Sequence, residues 1–347
     1  MYDLPDRLRR FDDCIAELVA VDPPALPRIR SKWVIAGNDY CGDRKGCVFD
    51  VVSTVMVDRD SIKKWDLERL RLRNRHLGDT RRLSFKRLGD KKKQALLPEF
   101  LRVSDELNGM CFCLAIHKKL KSFMSDQLGF NELFKGVPVG SQGLFEARLR
   151  VAFLNSFLMT GLCLDGVSLE WISDEDRIIQ NFAMAPLIGR MNHILGDSQL
   201  GDVIPFSTGS DTERRDLEDY VALADFSAAY CSYLATAMVQ GGVPEIGQEV
   251  HMQEGLIPTK GELIADWWDH PSRLRKIMML ITPGDPGDLY AVRFFGPNLA
   301  SIRSCDIGTW NDFLQHRRMR ASRGRIGVPP NFSWVGKANI GQRGRWQ

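Results

Sequence analysis

The chain has 347 residues, 44% of them hydrophobic and 26% charged, a balance that excludes a disordered chain, a collagen-like rod or a coiled coil as its main architecture. A formal net charge of +3 demands no polyanionic partner by itself, but the charge is unevenly spread. Fourteen Lys/Arg face five acids between Arg59 and Lys93, and eight Lys/Arg with no acid lie between Arg317 and the C-terminus. Two basic segments on a nearly neutral chain favour phosphate contact over the plainer reading of a solvated helix face.

The eight cysteines, at positions 14, 41, 47, 111, 113, 163, 231 and 305, form no CxxC pair and no zinc-finger spacing, so neither a structural zinc site nor a disulfide framework is expected. The opening residues MYDLPDRLRRFDD have no apolar signal-like core, and no run approaches the roughly 18 apolar residues of a membrane span. The expected setting is cytoplasmic and reducing, with no membrane contact.

In chain order, residues 32–39 (KWVIAGND) read as a buried strand that ends in polar residues and a glycine turn. Residues 47–57 (CVFDVVSTVMV) are rich in β-branched side chains and predict a second strand, hairpin-paired with the first. Residues 58–76 predict a helix with a basic outer face, and 91–107 another. After the turn Asn108-Gly109, residues 110–116 (MCFCLAI) predict a third strand. An irregular stretch over 122–141 precedes a buried helix over 143–162, ended by Gly161. Residues 167–172 (VSLEWI) read as a fourth strand, 181–195 as a helix and 203–207 as a short strand. The most regular helix runs over 214–239, and 276–281 and 289–295 predict two further strands joined by a Pro/Gly turn. The division expected is a main α/β domain over 1–240, a C-terminal α+β extension over 241–320 and a basic flexible tail over 321–347.

The chemical signal lies in acids placed where the pattern asks for apolar residues. Asp225 sits in the row YVALADFSAA, where an ionised carboxylate is costly unless a metal or a basic group compensates it. Pairing with an Arg, or a narrow polar stripe with Arg214 and Glu218, is the structural alternative. Asp39 ends the first strand, and Asp174, Glu175 and Asp176 follow the fourth. Such acids converging over a sheet from strand ends and a helix can hold two divalent ions about 3.5–4 Å apart, and hard oxygen ligands select Mg²⁺ or Mn²⁺. The Gly136–Gly143 stretch lacks the terminal Lys-Ser/Thr of a P-loop and reads as a plain loop. His117 reads as a solvated histidine in preference to a proton carrier, and Trp267 and Trp268 as packing anchors in preference to base-stacking platforms.

A resemblance rests on these same positions. Asp39-Tyr40-Cys41-Gly42, Leu83-Ser84-Phe85, Ser173-Asp174-Glu175 and Leu223-Ala224-Asp225 follow in the order of the motifs of RNase H-like proteins of the Asp-Glu-Ser-Gly type, a domain of unknown function. The resemblance covers residues 32–240 and is most specific at Leu223-Ala224-Asp225; Tyr40 stands where that family has its second acid, and Ser84 where it has a histidine. It implies an RNase H-like mixed central sheet flanked by helices, and a metal-dependent nuclease. Asp39, Asp174 and Asp225 would be the catalytic metal ligands, Glu175 or Asp176 would support them, and Arg81, Arg82, Lys86 and Arg87 would hold the DNA or RNA backbone. The departures at Tyr40 and Ser84 equally suit a protein that keeps the fold without the metals: a nucleic-acid-binding or interaction subunit of a larger prokaryotic assembly, such as a defence system. A protein partner or a homo-oligomer is compatible with either reading.

Overall fold

The computed structural model describes residues 27, 29, 31–42, 45–78, 82–120, 167–174, 200–208, 215–240, 259–283, 290–297 and 337–338. The elements expected over 122–141, 143–162 and 181–195, and nearly all of the basic tail, lie outside these residues. The strands are β1 (Trp33–Cys41), β2 (Phe49–Asp58), β3 (Gly109–His117), β4 (Val167–Asp174), β5 (Leu200–Thr208), β6 (Leu274–Thr282), β7 (Tyr290–Phe295) and β8 (Lys337–Ala338). The helices are α1 (Arg59–His76), α2 (Lys91–Ser104), α3 (Arg215–Gln240) and α4 (Thr259–Asp269). The protein is thus α/β, built on a mixed sheet.

The strands form one sheet in the order β5-β4-β1-β2-β3-β6-β7-β8. β1, β2 and β3 make an antiparallel meander, β4 lies parallel to β1, β5 parallel to β4, and β6 parallel to β3. β7 and β8 follow antiparallel. Every residue of β2 and of β3 is buried, so both faces of the sheet are covered there, as near-continuous apolar strands require.

One face carries α3. Its approach to β1 is permitted by Gly37, where a Cβ would stand 2.9 Å from the Tyr220 ring. The Tyr220 hydroxyl shares its hydrogen between the carbonyls of Ile35 (2.8 Å) and Val55 (2.6 Å), tying the helix to both strands of the hairpin. Further along, Cys111 Sγ donates to Ser227 Oγ at 2.9 Å, and Cys47 Sγ lies 2.9 Å from Ser232 Oγ, so the same helix spans β1, β2 and β3. Small residues along this side, Ala224, Ser227, Cys231 and Ala235, allow the close seat. Leu96, Leu97, Phe100, Phe226, Ile264 and Trp268 join α2, α3 and α4 into the same core.

α1 starts at Asp58, whose carboxylate accepts from Asp60 N at 2.9 Å, a charged N-cap at the positive end of the helix. It ends with Arg73, Arg75 and His76 in the last turn and Gly78 at φ +59°. Among the described residues no helix is long and apolar enough to cross a membrane.

Candidate functional site

The carboxyl end of β1 is braced from both sides just before its acid. Asn38 is fully buried; Trp171 Nε1 of β4 donates to its Oδ1, and its Nδ2 donates to Thr54 Oγ1 of β2. A buried amide satisfied from two neighbouring strands fixes their mutual register. In that register Asn38 lies opposite Ser173, so Asp39 and Asp174 occupy the next step on adjacent parallel strands. Asp39 is half-buried, faces Ser53 across the β1–β2 ladder, and its Oδ1 accepts from Tyr40 N at 2.6 Å.

Asp225 lies on α3, one and a half turns beyond Tyr220, and is half-buried in a helix whose neighbours Leu223, Ala224 and Phe226 are fully buried. Its Oδ2 accepts the backbone N–H of Phe85 at 2.6 Å. A backbone amide, a group outside the sequence-based expectation, is thus one partner of this carboxylate.

Asp174 is placed by its backbone at the end of β4, whereas Glu175 and Asp176 lie outside the described residues. Among the described residues no group of three or more His, Cys, Asp or Glu comes together to hold a metal. Asp39 and Asp225 each carry a carboxylate oxygen that accepts a backbone N–H, and carboxylate oxygens are the donor type that Mg²⁺ or Mn²⁺ takes.

Of the four residues expected on a nucleic-acid backbone, Lys86 and Arg87 are exposed on a short 3₁₀ turn (Phe85–Arg87). Arg82 is half-buried, and its carbonyl accepts from Lys93 Nζ at 2.5 Å. Arg81 lies outside the described residues. Much of the remaining basic run is used internally. Arg69 and Arg73, both buried, donate to Asp219 at 2.7 and 2.5 Å. Arg71 pairs with Glu68, Arg75 with Glu99 and Arg59 with Glu170.

Sequence reasoning passes over two buried charge centres. Burial pushes the Asp219 carboxyl above its ordinary value, against the pull of Arg73 and Arg69. Arg69 resists its own burial because Asp219, and then Asp66, hold its guanidinium charge. Lys276 is fully buried 2.8 Å from Asp105, donates to His270 O and Ser272 Oγ, and stands 4.9 Å from the Trp267 ring. Burial lowers its ammonium from the usual range, Asp105 opposing. The only advance signal for the first centre is the i,i+4 spacing of Arg69 and Arg73, which puts both on one face.

His117 is buried, contrary to expectation, because Phe49 packs edge-on against it at 5.2 Å. Its Nδ1 accepts from Lys119 N at 3.1 Å, and burial, then Lys119, hold the ring below its ordinary pKa. Trp267 and Trp268 are buried packing residues, as expected. A cavity of about 600 Å³ lies at the other end of the sheet, where β1 begins, lined by Asp58, Lys64, Trp65, Arg102, Glu106 and Arg273 among others. It is remote from Asp39 along β1.

Compared with known protein families and with curated proteins, the chain matches no family model and no curated sequence.

Proposed function

We propose that this protein is a divalent-metal-dependent nuclease that hydrolyses phosphodiester bonds of DNA or RNA at the carboxyl ends of β1 and β4, on an RNase H-like sheet. The observation that carries the reading is the adjacency of Asp39 and Asp174: two acids near the carboxyl ends of neighbouring parallel strands, one step past the Asn38–Ser173 pair, with α3, the helix that bears Asp225, bonded through Tyr220 to β1 and β2. Ligands of open α/β sheets bind at the carboxyl ends of the strands. The order β5-β4-β1-β2-β3, a meander continued by two strands parallel to its first, supports the RNase H-like assignment.

Asp39, Asp174 and Asp225 would hold the metal, with Glu175 or Asp176 in support. A divalent ion held by these carboxylates would supply Lewis-acid polarisation of the scissile phosphate and a more acidic bound water. The chain's own contribution is orientation: backbone N–H groups of Tyr40 and Phe85 aim two of the carboxylates, and the Asn38 brace holds the strand ends in register. Lys86 and Arg87, with Arg81 and Arg82, would contact the substrate backbone without reading sequence. A cytoplasmic setting accords with the five free thiols among the described residues.

A second reading, a nucleic-acid-binding subunit without metals, is favoured by one observation: Asp225 Oδ2 is already engaged by Phe85 N while Tyr40 occupies the position of a second acid. Melting in Mg²⁺ or Mn²⁺ separates the two. A ligand at about a hundred times its Kd stabilises the fold by roughly 2.7 kcal/mol. The nuclease reading expects a metal-dependent rise in Tm that Asp39→Asn and Asp174→Asn remove; a Tm indifferent to metal supports the second reading.

A further inference from the structure

The segment 82–90 is held at several points along its length. Lys93, itself buried, donates from Nζ to Arg82 O at 2.5 Å. Leu83 and Leu88 are buried pegs on either side of the 3₁₀ turn. The Phe85 ring lies 6.0 Å from that of Tyr233 on α3, and Asp90 caps α2 by accepting from Lys92 N and Lys93 N. Phe85 N donates to Asp225 Oδ2 at 2.6 Å and so joins this segment to one of the candidate acids.

Between the two leucine pegs only Lys86 and Arg87 are exposed, and the stretch 82–89 contains no acid. This sets them apart from the arginines of α1, whose charges meet Asp66, Glu68, Glu99, Glu170 and Asp219. Neither Lys86 nor Arg87 has an ion-pair partner among the described residues. The exposed cations therefore begin one residue from the backbone amide that Asp225 holds.

We infer that Asp225 is a positioning residue for the segment 82–90: by accepting the Phe85 N–H it fixes Lys86 and Arg87 as a preformed contact for a nucleic-acid phosphate backbone. The inference rests on the nuclease reading for its ligand but not for its geometry. It separates two properties of one carboxylate. An asparagine at 225 retains an oxygen acceptor and so retains the anchor, while lacking the charge that a metal requires. An alanine loses both.

The experiment uses the full chain in EDTA, with hydrogen exchange over residues 82–90 and equilibrium binding of labelled single- and double-stranded DNA and RNA over a salt series. The variants are Asp225→Asn, Asp225→Ala, Phe85→Pro, Phe85→Ala and Lys86→Ala/Arg87→Ala. Phe85→Pro deletes the N–H at the first position of a helical turn, after an extended Ser84 (φ −162°, ψ 153°) that accepts a following proline. Phe85→Ala keeps the N–H and removes the ring. Asp225→Ala and Phe85→Pro are expected to speed exchange in the segment and to weaken binding about tenfold, in line with a lost charge-assisted hydrogen bond. Asp225→Asn and Phe85→Ala should bind within about threefold of the parent. Lys86→Ala/Arg87→Ala should reduce the salt slope by about two contacts. Unchanged exchange in Asp225→Ala overturns the anchor. Faster exchange in a chain that binds none of the nucleic acids overturns the ligand, and with it the nuclease reading, while leaving the anchor in place.

Discussion

Arg69 Nη1 donates to Asp219 Oδ2 at 2.7 Å, and both side chains are cut off from solvent. Arg73 reaches the other oxygen of the same carboxylate, so one acid of α3 fastens two successive turns of α1. Removing Asp219 strands two buried guanidinium groups. Asp219→Ala should therefore cost about 3–5 kcal/mol in urea denaturation. Arg73→Ala should cost less, because Asp219 keeps Arg69. An Asp219→Ala protein within 1 kcal/mol of the parent would mean that the pair contributes little to the seating of α1.

Gly37 lets β1 lie close against α3. A Cβ there meets the Tyr220 ring at 2.9 Å, and the ring is held by hydrogen bonds to two strand carbonyls. Gly37→Ala should destabilise by about 1–3 kcal/mol, a typical overpacking cost. Gly89→Ala, whose added Cβ meets nothing within 4 Å, is the control and should be nearly silent in the same thermal melts.

His117 gives stability a dependence on acid. Burial and Lys119 hold its folded pKa below the ordinary 6.5. The unfolded chain therefore takes up a proton at higher pH than the folded chain, so the contribution of this ring is intact above about pH 6.5 and is lost as pH falls below it. His117→Gln should flatten that part of the stability profile. Parallel profiles for the two proteins between about pH 7 and 5 would assign the acid sensitivity to other groups.

The thiols differ in access. Burial holds Cys111, Cys113 and Cys231 above the ordinary thiol range, whereas Cys41 is only partly buried at the end of β1. Because thiolate fraction and exposure govern reactivity, a maleimide at neutral pH should label Cys41 well before those three. Peptide mapping by mass spectrometry checks the order; early labelling of Cys111 would show that α3 lifts from the sheet under native conditions.

The strands and α3 are legible in the sequence because burial leaves a one-dimensional trace: the apolar runs of β1, β2 and β3, and the helical row around Leu223. Asp225 is conspicuous for the same reason, as an acid inside that row. Its partner is not, since a backbone amide 140 residues away has no residue type to announce it. Asn38 misleads in the opposite direction: a polar residue after Val34–Gly37 reads as a strand running out, yet it is buried and satisfied by Trp171 and Thr54. The basic run reads as one phosphate-binding surface because the acids that neutralise Arg59 and Arg73, Glu170 and Asp219, lie far along the chain. Lys86 and Arg87 on the 3₁₀ turn, like Lys63, Lys64, Lys91 and Lys92, keep their side chains toward solvent.

The central claim is that Asp39, Asp174 and Asp225 act together in phosphodiester cleavage, and a single assay addresses it directly. Purified protein is incubated with Mg²⁺ or Mn²⁺ and labelled single- and double-stranded DNA and RNA, beside Asp39→Asn, Asp174→Asn and Asp225→Asn. The account predicts metal-dependent cleavage of at least one substrate, abolished in all three variants, with Asp225→Asn still folded and still binding. Cleavage that survives Asp225→Asn, or binding without cleavage by the parent protein in either metal, would contradict it.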